Sequence, residues 1–138
     1  YMAVNACGEI YDQDKILAGA LADDDRTIIS SHRLMLEGYE RNMGGNTSIG
    51  CIITNADLTK TECRMVSTMA HDGLARSIRP VHTSMDGDTL FTMASGEVKT
   101  TIDTVGYLAE EAVRLAVLDA AASAEGMGGR PAYRDIIK

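Results

Sequence analysis

Apolar residues alternate from Ile49 to Ile53 and recur at three- and four-residue intervals from Met65 to Ile78, one strand signal followed by one helix signal. The strand is predicted over Thr47–Thr54, with Ile49, Cys51 and Ile53 on one face and Ile52 on the other, so it is expected to be covered on both sides. Asn55-Ala56-Asp57 turns the chain into a helix from Thr59 to Arg79, opened by a Thr59/Glu62 capping box and closed by Pro80. Gly73 inside that helix costs about 1 kcal/mol relative to Ala and points to a close backbone approach. A polar loop over Thr83–Asp88 precedes a second strand, Asp88–Ser95, and Gly96 begins a turn. A long helix follows from Thr101 to Ala124, with Asp103 in its first turn and a small-residue face made by Ala109, Ala112, Val113, Ala116, Val117 and Ala120. Gly126, Gly128 and Gly129 stop it before a tail ending in Ile136-Ile137-Lys138.

The first third is less patterned. Tyr1–Ala6 reads as a short strand, Glu9–Arg26 as a long surface connection, and Thr27–Glu40 as helix or irregular chain. Asp23-Asp24-Asp25 lacks the ligand spacing and terminal Glu of a calcium loop and reads as a solvated turn. Arg41–Asn46 breaks the pattern, because adjacent glycines at 44 and 45 leave the backbone almost unconstrained. The order of elements argues for an α/β layered sandwich.

The length of 138 residues allows one core. A formal charge of −7 gives no electrostatic support for a nucleic-acid or acidic-membrane partner, so neither is expected. No run approaches the roughly 20 apolar residues that span a bilayer. With three cysteines and no CxxC pair, reduced thiols and a cytoplasmic setting are expected. With no Trp and one Phe, Ile, Leu, Val, Met and Ala must fill the core. The abrupt apolar start, Tyr1-Met2-Ala3-Val4, reads as a chain entered in mid-strand, part of a longer protein.

Three places offer chemistry. Gly44-Gly45-Asn46-Thr47-Ser48 sets a hydroxyl at the start of a buried strand. An N-terminal-nucleophile hydrolase needs this arrangement: the Thr47 hydroxyl attacks the Asn46 carbonyl, an acyl shift gives an ester, and water cleaves it. The freed α-amine, with a reference pKa near ~8, then serves as the base for its own hydroxyl. An ordinary turn before a strand is the alternative. Asp86-Gly87-Asp88 places two carboxylates at a strand entrance, where they either orient a nucleophile or form a turn. His71-Asp72 with His82 invites a triad, but helical neighbours point about 100° apart, which favours a surface or capping role. The three histidines lack metal-ligand spacing, and no metal or cofactor is expected.

Together, Ala3-Val4-Asn5-Ala6-Cys7-Gly8, Ile16-Leu17-Ala18-Gly19, Asn46-Thr47-Ser48-Ile49-Gly50, Ala70-His71-Asp72-Gly73-Leu74-Ala75-Arg76 and Asp86-Gly87-Asp88-Thr89-Leu90-Phe91 resemble, in order and spacing, the DmpA-like aminopeptidase family. The likeness is strongest to its 6-aminohexanoate-oligomer (nylon-oligomer) endohydrolase branch and runs from Tyr1 to about Ala124. It implies an αββα sandwich precursor that cuts itself between Asn46 and Thr47, leaving 1–46 as the end of a large subunit and 47–138 as a small subunit within one structural domain. It implies Thr47 as nucleophile and α-amine base, Asn5 as oxyanion donor, Asp86 and Asp88 as carboxylates lining the site, and the His71 helix as packing. Most aminopeptidase members carry Ser after Gly, whereas Thr47 follows Asn46, as in the nylon-oligomer branch. The family's upstream portion, with a lysine and a tyrosine of the site, has no counterpart in this sequence. The resemblance therefore implies a companion upstream segment or large subunit, and a homo-oligomer of processed heterodimers.

The expected activity is hydrolysis of linear amides, in peptides or 6-aminohexanoate oligomers. An aminopeptidase acting on N-terminal residues or β-peptides, an ornithine acetyltransferase-like acyltransferase, and an inactive structural member are the alternatives. The acyltransferase shares the fold and a Thr nucleophile, but Asp-Gly-Asp is not its signature.

Overall fold

The computed structural model describes residues 1–38 and 45–136. Its centre is a parallel pair, β4 (Ile49–Ala56) and β6 (Thr89–Val98), with β1 (Met2–Ala3) antiparallel on the far side of β4. Parallel neighbours require a crossover, and α2 (Lys60–Ser77) supplies it. The capping box forms as expected: the Thr59 hydroxyl accepts from the Glu62 amide, and the Glu62 carboxylate accepts from the Thr59 amide at 2.7 Å. After β6 the chain enters α3 (Ile102–Ser123), capped by Thr101.

The two long helices pack on each other and cover one face of the sheet. Val66, Ala70 and Leu74 of α2 share the core with Val105, Ala109, Val113 and Val117 of α3 and with Leu90 of β6. Gly73 sits at the crossing, where an added Cβ would overlap the Glu110 carbonyl and come 3.0 Å from the Arg114 nitrogen. Arg76 ties the helices at the surface, 2.7 Å from Glu110 and 3.3 Å from Glu111.

A second sheet, β3-β2-β5, is built from β2 (Glu9–Asp12), β3 (Lys15–Ala18) and β5 (Ile78–Arg79). Its Ile10, Leu17 and Ile78 join the same core. The architecture is thus mixed α+β, helices layered on sheets, consistent with the expected αββα sandwich.

Several local expectations need correction. The span from Glu9 to Arg26 contains a hairpin, β2–β3, turning at Gln13 in the left-handed region (φ 55°), because Ile10 and Leu17 are buried while charged residues occupy the turn. The first strand is short, Met2–Ala3, and α1 (Ser31–Leu36) is the helical part of the ambiguous third segment. The α2 helix ends at Ser77 rather than at Pro80, since Ile78 and Arg79 pair with β2. Gly96 (φ 81°) lies inside β6, where the register shifts against β4, and the strand continues to Val98. The tail holds one turn of helix, α4 (Tyr133–Ile136). Residues 41–44 of the predicted breaker, and 137–138 of the tail, lie outside the described residues.

The central strand is not covered on both sides. Gly50 and Ala56 on the helix side are buried, while Ile49 and Ile53 on the other face are 50% and 63% exposed. Their neighbours Phe91 and Met93 on β6 are likewise more than half exposed. One sheet face is therefore both apolar and open.

Candidate active site

The β4–β6 register brings the two sequence candidates together. Ile49 pairs with Thr89, and the same offset of forty residues holds at the Asn46–Asp86 bridge. Thr47 therefore lies beside Gly87, and Ser48 beside Asp88. The main-chain ladder continues through this stretch: Asn46 donates to the Met85 carbonyl at 3.3 Å, Gly87 to the Asn46 carbonyl at 2.9 Å, and Thr89 to the Ser48 carbonyl at 2.9 Å.

Thr47 is half-buried, and its hydroxyl donates to the carbonyl oxygen of Asn46 at 2.7 Å. Strand alternation places its side chain on the face of Ile49 and Ile53, the open side of the sheet. The hydroxyl thus rests against the carbonyl that precedes it in the chain.

Asn5 reaches this junction through a different contact from the one expected of an oxyanion donor. Its side-chain oxygen accepts from the Asn46 amide group at 3.4 Å, and that same group donates to the Ala6 carbonyl at 3.1 Å. The Asn5 main-chain amide donates to the Ser48 hydroxyl at 3.3 Å, so the turn after β1 is tied to the residue that leads into β4.

Asp86 and Asp88 flank Gly87, and their oxygens serve the main chain. Asp88 Oδ1 accepts from the Ser48 amide at 2.8 Å. Asp86 Oδ2 accepts from the Thr83 amide at 2.9 Å and its hydroxyl at 2.8 Å, while the Asp86 amide donates back to the Thr83 carbonyl at 3.0 Å. One carboxylate thus fixes the start of β4, and the other closes the loop that delivers Gly87.

Two contacts go beyond what the sequence indicated for these residues. Ser48, fully buried, links Asn5 to Asp88, and alternation along the predicted strand was the available signal. His71 Nδ1 and His82 Nε2 lie 3.0 Å apart, which requires one ring to donate and the other to accept. The His71 pKa is lowered, first by burial and then by His82, against the opposing charges of Asp88 and Asp72. His71 Nδ1, the atom a triad carboxylate would engage, faces His82 instead. Nothing in the sequence signals this pairing, since it depends on how the loop after β5 folds back onto α2.

Away from this site, Asp24 accepts from the Arg26 and Thr27 amides and the Thr27 hydroxyl. The acidic run is thus a closed turn, and these bonds, led by those to Thr27, lower the Asp24 pKa to about 2. Among the described residues no three His, Cys, Asp or Glu side chains converge as a metal site, and no helix is long and apolar enough to cross a membrane.

Residues 5–134 match the model of peptidase family S58. An uncharacterized aminopeptidase of Mycobacterium leprae is 41% identical over 103 residues, which cover 64% of this chain and 28% of that protein. An uncharacterized aminopeptidase of Mycobacterium tuberculosis is 39% identical over 106 residues, 66% of this chain and 31% of its own length. A 6-aminohexanoate-oligomer endohydrolase of Paenarthrobacter ureafaciens is 41% identical over 54 residues, 39% of this chain and 15% of that enzyme. The chain thus matches less than a third of the length of each of these relatives.

Proposed function

The chain belongs to peptidase family S58, and on that premise we propose that it carries the nucleophile of a self-processing amide hydrolase. The observation that supports this reading is the Thr47 hydroxyl held 2.7 Å from the oxygen of the preceding carbonyl, at the first residue of the central strand's approach. A small movement from carbonyl oxygen to carbonyl carbon begins the reaction.

In self-cleavage, the Thr47 Oγ–C bond forms and the carbonyl electrons move onto the Asn46 oxygen. As the intermediate collapses, the Asn46–Thr47 C–N bond breaks and the hydroxyl proton ends on the Thr47 nitrogen. Water then hydrolyses the ester, giving the Asn46 carboxylate and a free Thr47 with both α-amine and hydroxyl. In turnover, the α-amine takes the hydroxyl proton as Thr47 attacks a substrate amide, then returns it to the leaving amine. Water releases the acyl group. Asn5, freed from the Asn46 side chain, donates its amide hydrogens to the substrate oxyanion. Asp88 holds the start of β4, next to the new amine, and Asp86 holds the facing loop.

An aminopeptidase mode draws support from the names and the broader coverage of the mycobacterial relatives; the nylon-oligomer match spans fewer residues. We assign linear amides with a free amino end as the substrate class. The open apolar sheet face and the greater length of the relatives support a companion upstream segment or large subunit that covers this face. Processed heterodimers assembled into a homo-oligomer and a cytoplasmic setting complete the proposal.

Processed full-length protein is to be assayed on an α-peptide amide, a β-peptide amide and a linear 6-aminohexanoate oligomer. Hydrolysis of at least one, abolished by Thr47→Ala, is expected. Failure on all three, or undiminished turnover in Thr47→Ala, contradicts the reading.

A further inference from the structure

We propose that the main-chain amide of Gly87 is the oxyanion donor of the self-cleavage step, acting directly on the scissile Asn46 carbonyl. This rests on the reading of Thr47 as the nucleophile at the Asn46–Thr47 bond.

Asn5, the side chain expected to stabilise an oxyanion, has its carboxamide oxygen turned to the Asn46 side chain in the uncut chain. The donor found on the scissile oxygen is the Gly87 N–H, at 2.9 Å. The nucleophile hydroxyl shares that oxygen at 2.7 Å, and on attack it leaves the oxygen for the carbon. The Gly87 N–H then remains to meet the negative charge that builds there. Such a donor is already oriented by the strand pairing, so little reorganisation accompanies charge development.

The residue type at 87 fits this role. A Cβ there would lie 2.6 Å from Thr47 Oγ and 3.6 Å from its Cβ and Cγ2. Any larger residue would press on the nucleophile, so only glycine lets the amide approach the carbonyl with the hydroxyl still in place. The Asp86 carboxylate supports this as a positioning group, because its two bonds to Thr83 close the turn immediately before Gly87. Once residue 46 has left, the same N–H points at the position a substrate carbonyl takes beside Thr47.

A parallel ladder places a hydrogen bond here in any case, so the test must separate donation to the scissile carbonyl from ordinary strand pairing. The next donor in the ladder, the Thr89 amide on the Ser48 carbonyl at 2.9 Å, provides the comparison. Full-length precursor is prepared with an ester in place of the amide at residue 87 or, separately, at residue 89. Each replacement deletes one N–H and leaves the side chain unchanged. Cleavage is followed by mass spectrometry and folding by circular dichroism.

The residue-87 ester is expected to slow cleavage about 10²–10³-fold, the usual effect of losing one oxyanion donor. The residue-89 ester should slow it less than tenfold. Gly87→Ala keeps the N–H but crowds the hydroxyl, and it too should slow cleavage while remaining folded. Equal slowing by the two esters, or normal cleavage of the residue-87 ester, overturns the assignment. A precursor that still cuts itself as Thr47→Ala overturns the underlying reading instead, so the two failures are distinct.

Discussion

Gly73→Ala sets two effects of opposite sign against each other. In an isolated helix the change gains about 1 kcal/mol, because glycine is the poorer helix former. In this fold the new methyl group falls on the α3 backbone, overlapping the Glu110 carbonyl and lying 3.0 Å from both the Arg114 nitrogen and the Val113 Cβ. Backbone cannot rotate away as a side chain can, so the helices must separate. Overpacking of this kind costs about 1–3 kcal/mol, more where rigid atoms are met. With the clash on main chain, the upper part of that range applies, and the net expectation is a loss of about 1–2 kcal/mol. Gly106→Ala is the natural control. Its Cβ would meet mainly the Sδ and Cε atoms of Met69, a flexible chain end that can move, so the loss should be smaller. Urea unfolding of the full-length protein reads both, as a shift of midpoint at constant slope. A higher midpoint for Gly73→Ala would refute the claim that a backbone approach, and not chance, keeps glycine at 73.

The remaining predictions concern the site and its supports. Asn5→Ala should lower kcat more than it raises KM, because an oxyanion donor acts mainly in the transition state; a change in KM alone refutes that role. Since burial and His82 lower the His71 pKa, the unfolded chain takes up a proton as pH falls through about 6.5 while folded His71 does not. Stability should therefore decline from about pH 6.5 towards the lower folded pKa, and His71→Gln should flatten that part of a denaturation-versus-pH curve; an unchanged slope refutes the assignment. Buried Glu9 accepts the Ser31 amide through Oε1, holding α1 against the second sheet, so Glu9→Ala should destabilise by about 1–3 kcal/mol by leaving that amide unpaired. An unchanged thermal midpoint would mean that the Ser31 amide finds another partner.

Features that depend on neighbours within one turn or one strand were legible in the sequence. The Thr59/Glu62 capping box, the α2 and α3 helices and the β4 alternation need only local spacing, and Gly73 showed itself by its cost. The hairpin at residues 9–18 was obscured because a charged residue, Glu9, occupies a fully buried position at its start. At the site, the residues themselves showed Thr47 and the Asp-Gly-Asp run as separate candidates; the family resemblance put them in one site, but the contact between 47 and 87 was not visible. It follows from the parallel register of β4 and β6, which fixes 47 opposite 87, and register is set by packing across the sheet. The approach of Gly87 to Asn46 was hidden for the same reason: beside two carboxylates it reads as a turn residue, and only pairing shows that its amide faces Asn46. The apolar alternation of β4 also implied two covered faces, whereas one is open.

Self-cleavage at the bond between Asn46 and Thr47 is tested most directly by its products. Intact-mass analysis and N-terminal sequencing of purified full-length protein should find a fragment beginning Thr47-Ser48-Ile49-Gly50, and Thr47→Ala should leave the chain whole. A wild-type chain that stays uncut, one cut at another bond, or a Thr47→Ala variant that still divides at this bond would contradict it.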